Sequence, residues 1–219
     1  MKIFAMSDIH GCVDALDQAL QLVDLSGENM VVFLGDYIHG PDGYGVLDRI
    51  IGLQEKYGRD KVIALLGNHE EMAVDGEWPI NGDQYDAEKD KEYLKWMNEL
   101  PRYYVAGNVI FVHAGIDEEC AANGYWELGT MPEIFTKKYP PEKGKISNFN
   151  MKIVAGHIGT AEISGDPDFH DVYFDGGSHY YIDGTVYRSG VIPVLMMDTE
   201  TDKYYCVSKK DGLRPIFSY

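Results

Sequence analysis

Metal-competent side chains occur at five separate points in the sequence, each directly after a short apolar run: Asp8 and His10, Asp36, Asn68 and His69, His113, and His157. Carboxylate, imidazole and amide oxygen together suit Mn, Fe or Zn better than Ca or Mg. One such Asp is ordinarily a helix cap and one such His a satisfied polar residue. Five sites in a chain of 219 residues are harder to explain that way. Buried Asp and His need partners, and bound cations supply them. Asp36 lies in the middle of the set and can bridge two ions. Ions roughly 3.5–4 Å apart activate a water and stabilise in-line displacement at phosphorus, so hydrolysis of phosphate esters is the expected chemistry.

The elements that must carry these residues can be read from the apolar pattern. Lys2 to Met6, Met30 to Leu34 and Lys61 to Leu65 read as buried parallel strands. Val13, Leu16, Leu20 and Val23 recur at helical spacing, and Val46 to Tyr57 is a second helix. This alternation implies a right-handed parallel βαβ sheet, whose ligands gather at the carboxyl ends of the strands. Glycines 11, 35, 67, 115 and 156 allow the tight turns that follow. Ala87 to Leu100 reads as an amphipathic helix stopped by Pro101. Val105 to Val109 reads as a hairpin turn leading into Ile110–His113, and Ile153 to His157 as a further strand. From Asp171 onward, β-branched and aromatic runs imply antiparallel strands. The parallel half and this β-rich half are expected to pack as two sheets with helices outside. Residues 117–150 read as an irregular surface flap.

Composition sets bounds. The length suits one domain spanning 1–219. The formal net charge of -17 disfavours binding to nucleic acid backbones and is compatible with carboxylates gathered around cations. Cys12, Cys120 and Cys206 form no CxxC pair, which points to free thiols in a reducing compartment. No apolar run approaches the roughly 20 residues of a membrane helix, and a cytoplasmic location with no membrane partner is expected.

The five motifs also carry a resemblance. Asp8-Ile9-His10-Gly11, Gly35-Asp36, Gly67-Asn68-His69-Glu70, His113-Ala114-Gly115 and Gly156-His157 resemble, in order, the motifs of calcineurin-like metallophosphoesterases. The likeness covers most of the chain and includes Leu100-Pro101 and Gly156-His157-Ile158-Gly159-Thr160. It is strongest to small bacterial and phage-type members of the phosphoprotein phosphatase branch, and symmetrical dinucleoside tetraphosphatases share the same motif series. The resemblance implies an α/β fold, a two-sheet sandwich with flanking helices. It implies two divalent ions, with Mn first and Fe, Zn or Ni as alternatives. Asp8 and His10 would hold the first ion, Asn68, His113 and His157 the second, with Asp36 bridging. His69 would donate a proton to the leaving group.

Departures from the pattern bear on substrate. Family members usually continue Gly-Asp-x-x with Asp-Arg-Gly. This chain has Gly35-Asp36-Tyr37-Ile38-His39-Gly40-Pro41, one residue shorter. His39 stands where the Asp that orients the catalytic His is expected, which makes His39 a second catalytic candidate. Leu66 replaces an Arg before Gly-Asn-His, and the Arg of the family's Trp-x-Arg segment is absent near Trp126-Glu127-Leu128. Those arginines clamp phosphate oxygens in the family. Of the five here, Arg49 and Arg59 read as solvated, and Arg102 or Arg188 are the ones placed to reach the site from the later half.

The leading reading is a phosphoprotein phosphatase-like phosphomonoesterase acting on phosphorylated proteins or small phosphoesters. A dinucleoside-polyphosphate or phosphodiester hydrolase is the alternative, with the weaker phosphate clamp favouring diesters. No aromatic-plus-basic adenine pocket is evident, although Tyr37, Tyr44 and Trp78 lie near the loops in question. A weakly active metal-binding regulatory module is the non-enzymatic alternative. Glu70 and Glu71 read as favouring a helix start, His170 and His179 as exposed non-ligands, and Asp83 to Glu92 as a solvated face.

Overall fold

The computed structural model describes residues 1–81 and 85–216; Asp83, at the start of the acidic run, lies outside them. The chain begins with β1 (Lys2–Met6), α1 (Val13–Leu20), β2 (Met30–Phe33), α2 (Gly43–Tyr57), β3 (Val62–Ala64) and α3 (Asn68–Val74). Helix α4 (Ala87–Asn98) leads to the hairpin β4 (Tyr103–Ala106) and β5 (Val109–Val112). Three short helices follow, α5 (Glu118–Ala122), α6 (Trp126–Gly129) and α7 (Pro132–Lys137). The remainder is β6 (Lys152–Gly159), α8 (Thr160–Ser164), β7 (Tyr173–Phe174), β8 (His179–Asp183), α9 (Val186–Ser189), β9 (Val194–Asp198), β10 (Lys203–Ser208) and β11 (Gly212–Pro215).

The strands form two mixed sheets, ordered β11-β10-β9-β1-β2-β3 and β4-β5-β6-β8-β7. β1, β2 and β3 are parallel, as are β5, β6 and β8. Side chains alternate between faces, so each central strand supplies two layers. Ile3, Ala5, Val32 and Leu34 face Val109, Phe111, Val154 and Ile182 between the sheets. Phe4, Met6, Val31 and Phe33 pack outward under Leu16, Leu47, Ile50 and Trp96 of the helices. Strands buried on both faces read as continuous apolar runs, which is why the first three were legible.

Three expectations are corrected. The two sheets do not divide the chain into halves, because β9 pairs antiparallel with β1 and extends the first sheet. Nor is the later half uniformly antiparallel, since β8 runs parallel to β6. Apolar runs identify strands but not their partners. Residues 117–150 are not a flap either. They hold α5, α6 and α7, and Ala121, Phe135, Ile146 and Phe149 are buried against the outer face of the second sheet. Helix α2 starts three residues earlier than expected because Asp42 caps it, accepting from Gly45 N at 2.8 Å.

Candidate metal centre

The carboxyl ends of β1, β2, β3 and β5, together with the distal part of β6, deliver the expected residues to one place. The turns after β1 and β2 are stitched together, with Ile9 N and His10 N donating to the Asp36 carbonyl at 2.8 and 2.9 Å and Gly11 N to Tyr37 O at 2.8 Å. Strand β6 runs past the expected end at His157 to Gly159, and its register breaks between Ala155 and Gly159. That irregularity turns His157 toward the centre at φ 67°. Among the described residues, eight non-glycine residues have positive φ, and five of them are Asp8, His10, Asp36, His39 and His157. Left-handed backbone costs on the order of 1–3 kcal/mol per residue, so its concentration here marks strain held in place by the surrounding structure.

Two glycines set how tightly the loops pack. A Cβ on Gly67 would lie 2.3 Å from Asp36 Oδ1, and one on Gly156 would lie 2.1 Å from Asp8 Oδ2. Both positions therefore need the bare backbone for the carboxylates to sit where they do.

Potential ligand atoms of His10, Asp36 and His69 converge within 4.8 Å of one another, and those of Asp36, His113 and His157 do the same. Asp36 belongs to both groups. Asp8 Oδ1 lies 3.9 Å from His10 Nε2, and Asn68 Oδ1 lies 2.9 Å from His113 Nε2. All six expected ligands are thus brought together. His69 joins them more closely than expected, with Nε2 3.8 Å from Asp36 Oδ2. Asp36 Oδ1 also accepts from His69 N at 3.1 Å, and Asp8 Oδ2 from His157 N at 2.9 Å.

The donor set fits divalent cations. Nδ1 of His113 faces Leu34 O at 3.0 Å and Nδ1 of His10 faces Ile38 O at 3.3 Å. A carbonyl partner at Nδ1 turns Nε2 inward, the usual arrangement of a metal-binding imidazole. Asp8 and Asp36 are each 2% exposed. Burial pushes Asp8 up to about 6, with Asp36 adding to the rise and His113 opposing it. Burial would raise Asp36 as well, but the charge and hydrogen bond of His113, then His69 and His10, hold it below the usual carboxylate range. Burial opposes a charge on His113, yet Asp36, Asp8 and Glu70 push it up to about 10. This is the electrostatics of a buried cluster short of positive charge.

His39 meets the proton-donor candidate directly, its Nδ1 2.8 Å from His69 Nδ1. Burial brings His69 down to about 4 against the pull of Asp36, and it lowers His39 as well.

Three residues at the site escaped the sequence reading. Glu70, expected only to favour a helix start, is fully buried and accepts from Asp36 N, Tyr37 N and Gly67 N at 2.7, 2.8 and 3.1 Å. It therefore fixes the Asp36 turn against α3. Asp183 is buried at the end of β8, and burial followed by the charge of Asp8 pushes it up to about 8. An Asp closing an apolar run, as at Asp8 and Asp36, is a signal that could have found it. Tyr187 of α9 stacks on His10 at 5.5 Å, and nothing in its sequence context points there.

Other expectations need revision. His179 is not exposed; it is 2% exposed and held between Asp175 and Glu118 at 2.6 and 2.9 Å. His170 is half-buried. Tyr37 and Tyr44 are buried, the former with its hydroxyl on Phe33 O and Leu65 O, so of the three aromatics considered only Trp78 stands open. Arg102 pairs with Glu71 at 3.2 Å rather than turning to the site, whereas Arg188 on α9 is exposed.

Comparison with known proteins agrees with this geometry. A family model described as calcineurin-like phosphoesterase matches residues 1–191. A symmetrical bis(5'-nucleosyl)-tetraphosphatase of Acidovorax sp. (strain JS42) is 31% identical over 130 residues, covering 53% of this chain and 44% of that protein. The chain thus matches less than half the length of that curated relative. Among solved structures, a cold-active protein-tyrosine phosphatase of a Shewanella species superposes with TM-score 0.71 at 18% identity, over 99% of this chain and 80% of its own. A protein serine/threonine phosphatase of Saccharomyces cerevisiae gives TM-score 0.67 at 15% identity, over 100% and 80%. At these identities the two structures speak for the fold.

Proposed function

The chain belongs to the calcineurin-like phosphoesterase family, and from that premise we propose that it hydrolyses phosphate esters at the Asp36 centre, as a phosphatase of phosphorylated proteins or small phosphomonoesters. The observation that carries the reading is Asp36, shared by two convergent ligand groups. Asp8 and His10 would hold one divalent ion, Asn68, His113 and His157 the other, and Asp36 would join them. Mn is the first choice, with Fe, Zn and Ni as alternatives. When bound, the ions would polarise the phosphoryl group and acidify an attacking water. Glu70 keeps the Asp36 turn in place through the backbone N–H groups it accepts from. His69 would give a proton to the departing oxygen, and His39 acts through it as a positioning residue. A cytoplasmic setting belongs to this reading, supported by three free cysteines. No helix among the described residues is long and apolar enough to cross a membrane.

Hydrolysis of dinucleoside polyphosphates is the second reading, supported by the 31% identity to a symmetrical tetraphosphatase. Arg49, Arg59, Arg102 and Arg214 are each engaged by a carboxylate. Among the described residues, Arg188 is therefore the arginine left to meet a phosphate. Losing a positioned donor to a transition-state oxygen costs on the order of 10²–10³ in rate, so a weak monoesterase is expected. The test is hydrolysis of p-nitrophenyl phosphate, its bis-ester and diadenosine tetraphosphate by metal-stripped protein with Mn, Ni, Zn or Mg restored. Turnover that needs metal and is abolished by Asp36→Asn and His69→Asn supports the proposal. Two bound metals without turnover on any substrate would leave a metal-binding module.

A further inference from the structure

Five aromatic rings form a continuous row at the mouth of the centre. Tyr187 stacks on His10 at 5.5 Å and 24°, and His10 meets His69 edge-on at 4.7 Å. His69 meets His39 at 4.9 Å, and His39 meets Trp78 edge-on at 5.2 Å and 72°. The three imidazoles are partly buried, but the end rings are each 56% exposed. Tyr187 is pinned there, because its hydroxyl donates to the His39 carbonyl. One open ring thus comes from α9 and the other from the segment between α3 and α4, on either side of the His69–His39 pair.

We propose that Trp78 and Tyr187 form the leaving-group side of the substrate site and select phosphate esters whose leaving group carries a planar ring. The inference rests on the phosphoesterase reading above and names its substrate class. Water oxygen bonds to phosphorus, the P–O bond to the ring-bearing alcohol breaks, and that oxygen departs with a proton, giving inorganic phosphate and the free alcohol. With four of five arginines tied to carboxylates, the grip on phosphate is thin, and the leaving group must supply more of the binding. Preset aromatic faces do so for a planar partner through dispersion and ring electrostatics, while a short polar alkyl group gains little from them. The shared chemistry has two sources, a ring bonded directly to the ester oxygen or a nucleobase one sugar away.

Steady-state kinetics of the metal-loaded chain on phenyl phosphate, AMP and phosphoserine tests the proposal with wild type, Trp78→Leu, Trp78→Phe and Tyr187→Leu. Comparing each variant with wild type on the same substrate cancels the intrinsic reactivity of the phenol. Trp78→Leu and Tyr187→Leu are expected to lower kcat/KM for at least one ring-bearing ester about tenfold more than for phosphoserine, chiefly through KM. Trp78→Phe, which keeps a ring, is expected to retain most of the preference. A selective loss on phenyl phosphate assigns an aryl ester, and a selective loss on AMP assigns a nucleobase. Equal losses on all three esters, or none, overturn ring selection and leave the phosphoesterase standing. No metal-dependent hydrolysis of any of the three by wild type overturns the phosphomonoesterase reading, and ring selection with it.

Discussion

Hydrogen bonding separates the residues of this site into those that would face the cations and those that hold the facing ones still. Glu70 does the second job for the Asp36 turn, together with the backbone hydrogen bonds from the β1 turn. Glu70→Ala strands several buried N–H groups and is expected to lower unfolding stability by about 3 kcal/mol, measured by urea denaturation, and to reduce bound metal. His39 gives His69 an imidazole neighbour where a carboxylate would stabilise its protonated form. His39→Asp, at a left-handed position that Asp tolerates, is expected to raise kcat on phosphoserine at least several-fold. Unchanged or lower kcat would show that the second imidazole is no handicap. The six candidate ligands were legible because each lies just after an apolar run and close to a glycine. Glu70 was not, since a side chain that accepts from backbone N–H groups looks in sequence like any acidic residue near a helix start. Tyr187 was hidden because α9 meets the β1 turn only in three dimensions.

Short elements position long-range contacts, and they do so through buried charge. His179 opens β8 and ties it to Asp175 beside β7 and to Glu118 at the start of α5, with Lys138 and Glu142 around Glu118 and Tyr181 stacked on the ring. Burial opposes its charge, but bonds to Asp175 and Glu118 raise its pKa overall. The stability it contributes is therefore full below the ordinary histidine value and lost as pH rises through the raised one. Asp175 is depressed by His179 and nearby backbone N–H groups despite burial, so its share is lost as pH falls through that lowered value. Melting temperatures are expected to fall as pH rises above neutrality, and His179→Gln to flatten that fall while lowering stability near pH 6. A wild-type curve flat across this range would rule the account out. The strand β6 holds a second element-scale device. Gly156→Ala drives a methyl onto the Asp8 carboxylate and is expected to remove at least one bound metal per chain by elemental analysis. The strands themselves were legible; the irregularity in β6 was not, because nothing in Ile153 to His157 announces that pairing resumes at Gly159.

At the scale of the whole molecule, charge sets how substrate arrives. A formal net charge of -17 repels phosphate dianions at long range even if the bound ions reverse it locally. Salt screens that repulsion, so kcat/KM for phosphomonoesters is expected to rise a few-fold between about 10 and 150 mM salt, with kcat little changed. A fall with salt would mean that the approach is steered by local positive charge. Composition made this acidity plain, and apolar runs made two sheets legible. What could not be read was which strands share a sheet, since that depends on pairings such as Ile3 with Met197 that no local pattern encodes.

That pairing places β1 between β2 and β9, so the first sheet is completed by strands separated by most of the chain. During synthesis, Asp8 and Asp36 are in place long before His157 is made, and β1 keeps an unpaired edge until β9 has left the ribosome. Domains of such long-range pairing complete late and expose unpaired edges meanwhile. The nascent protein therefore carries its carboxylates with the first sheet unfinished until β9 emerges, and capture of a full metal pair is expected to wait for that pairing.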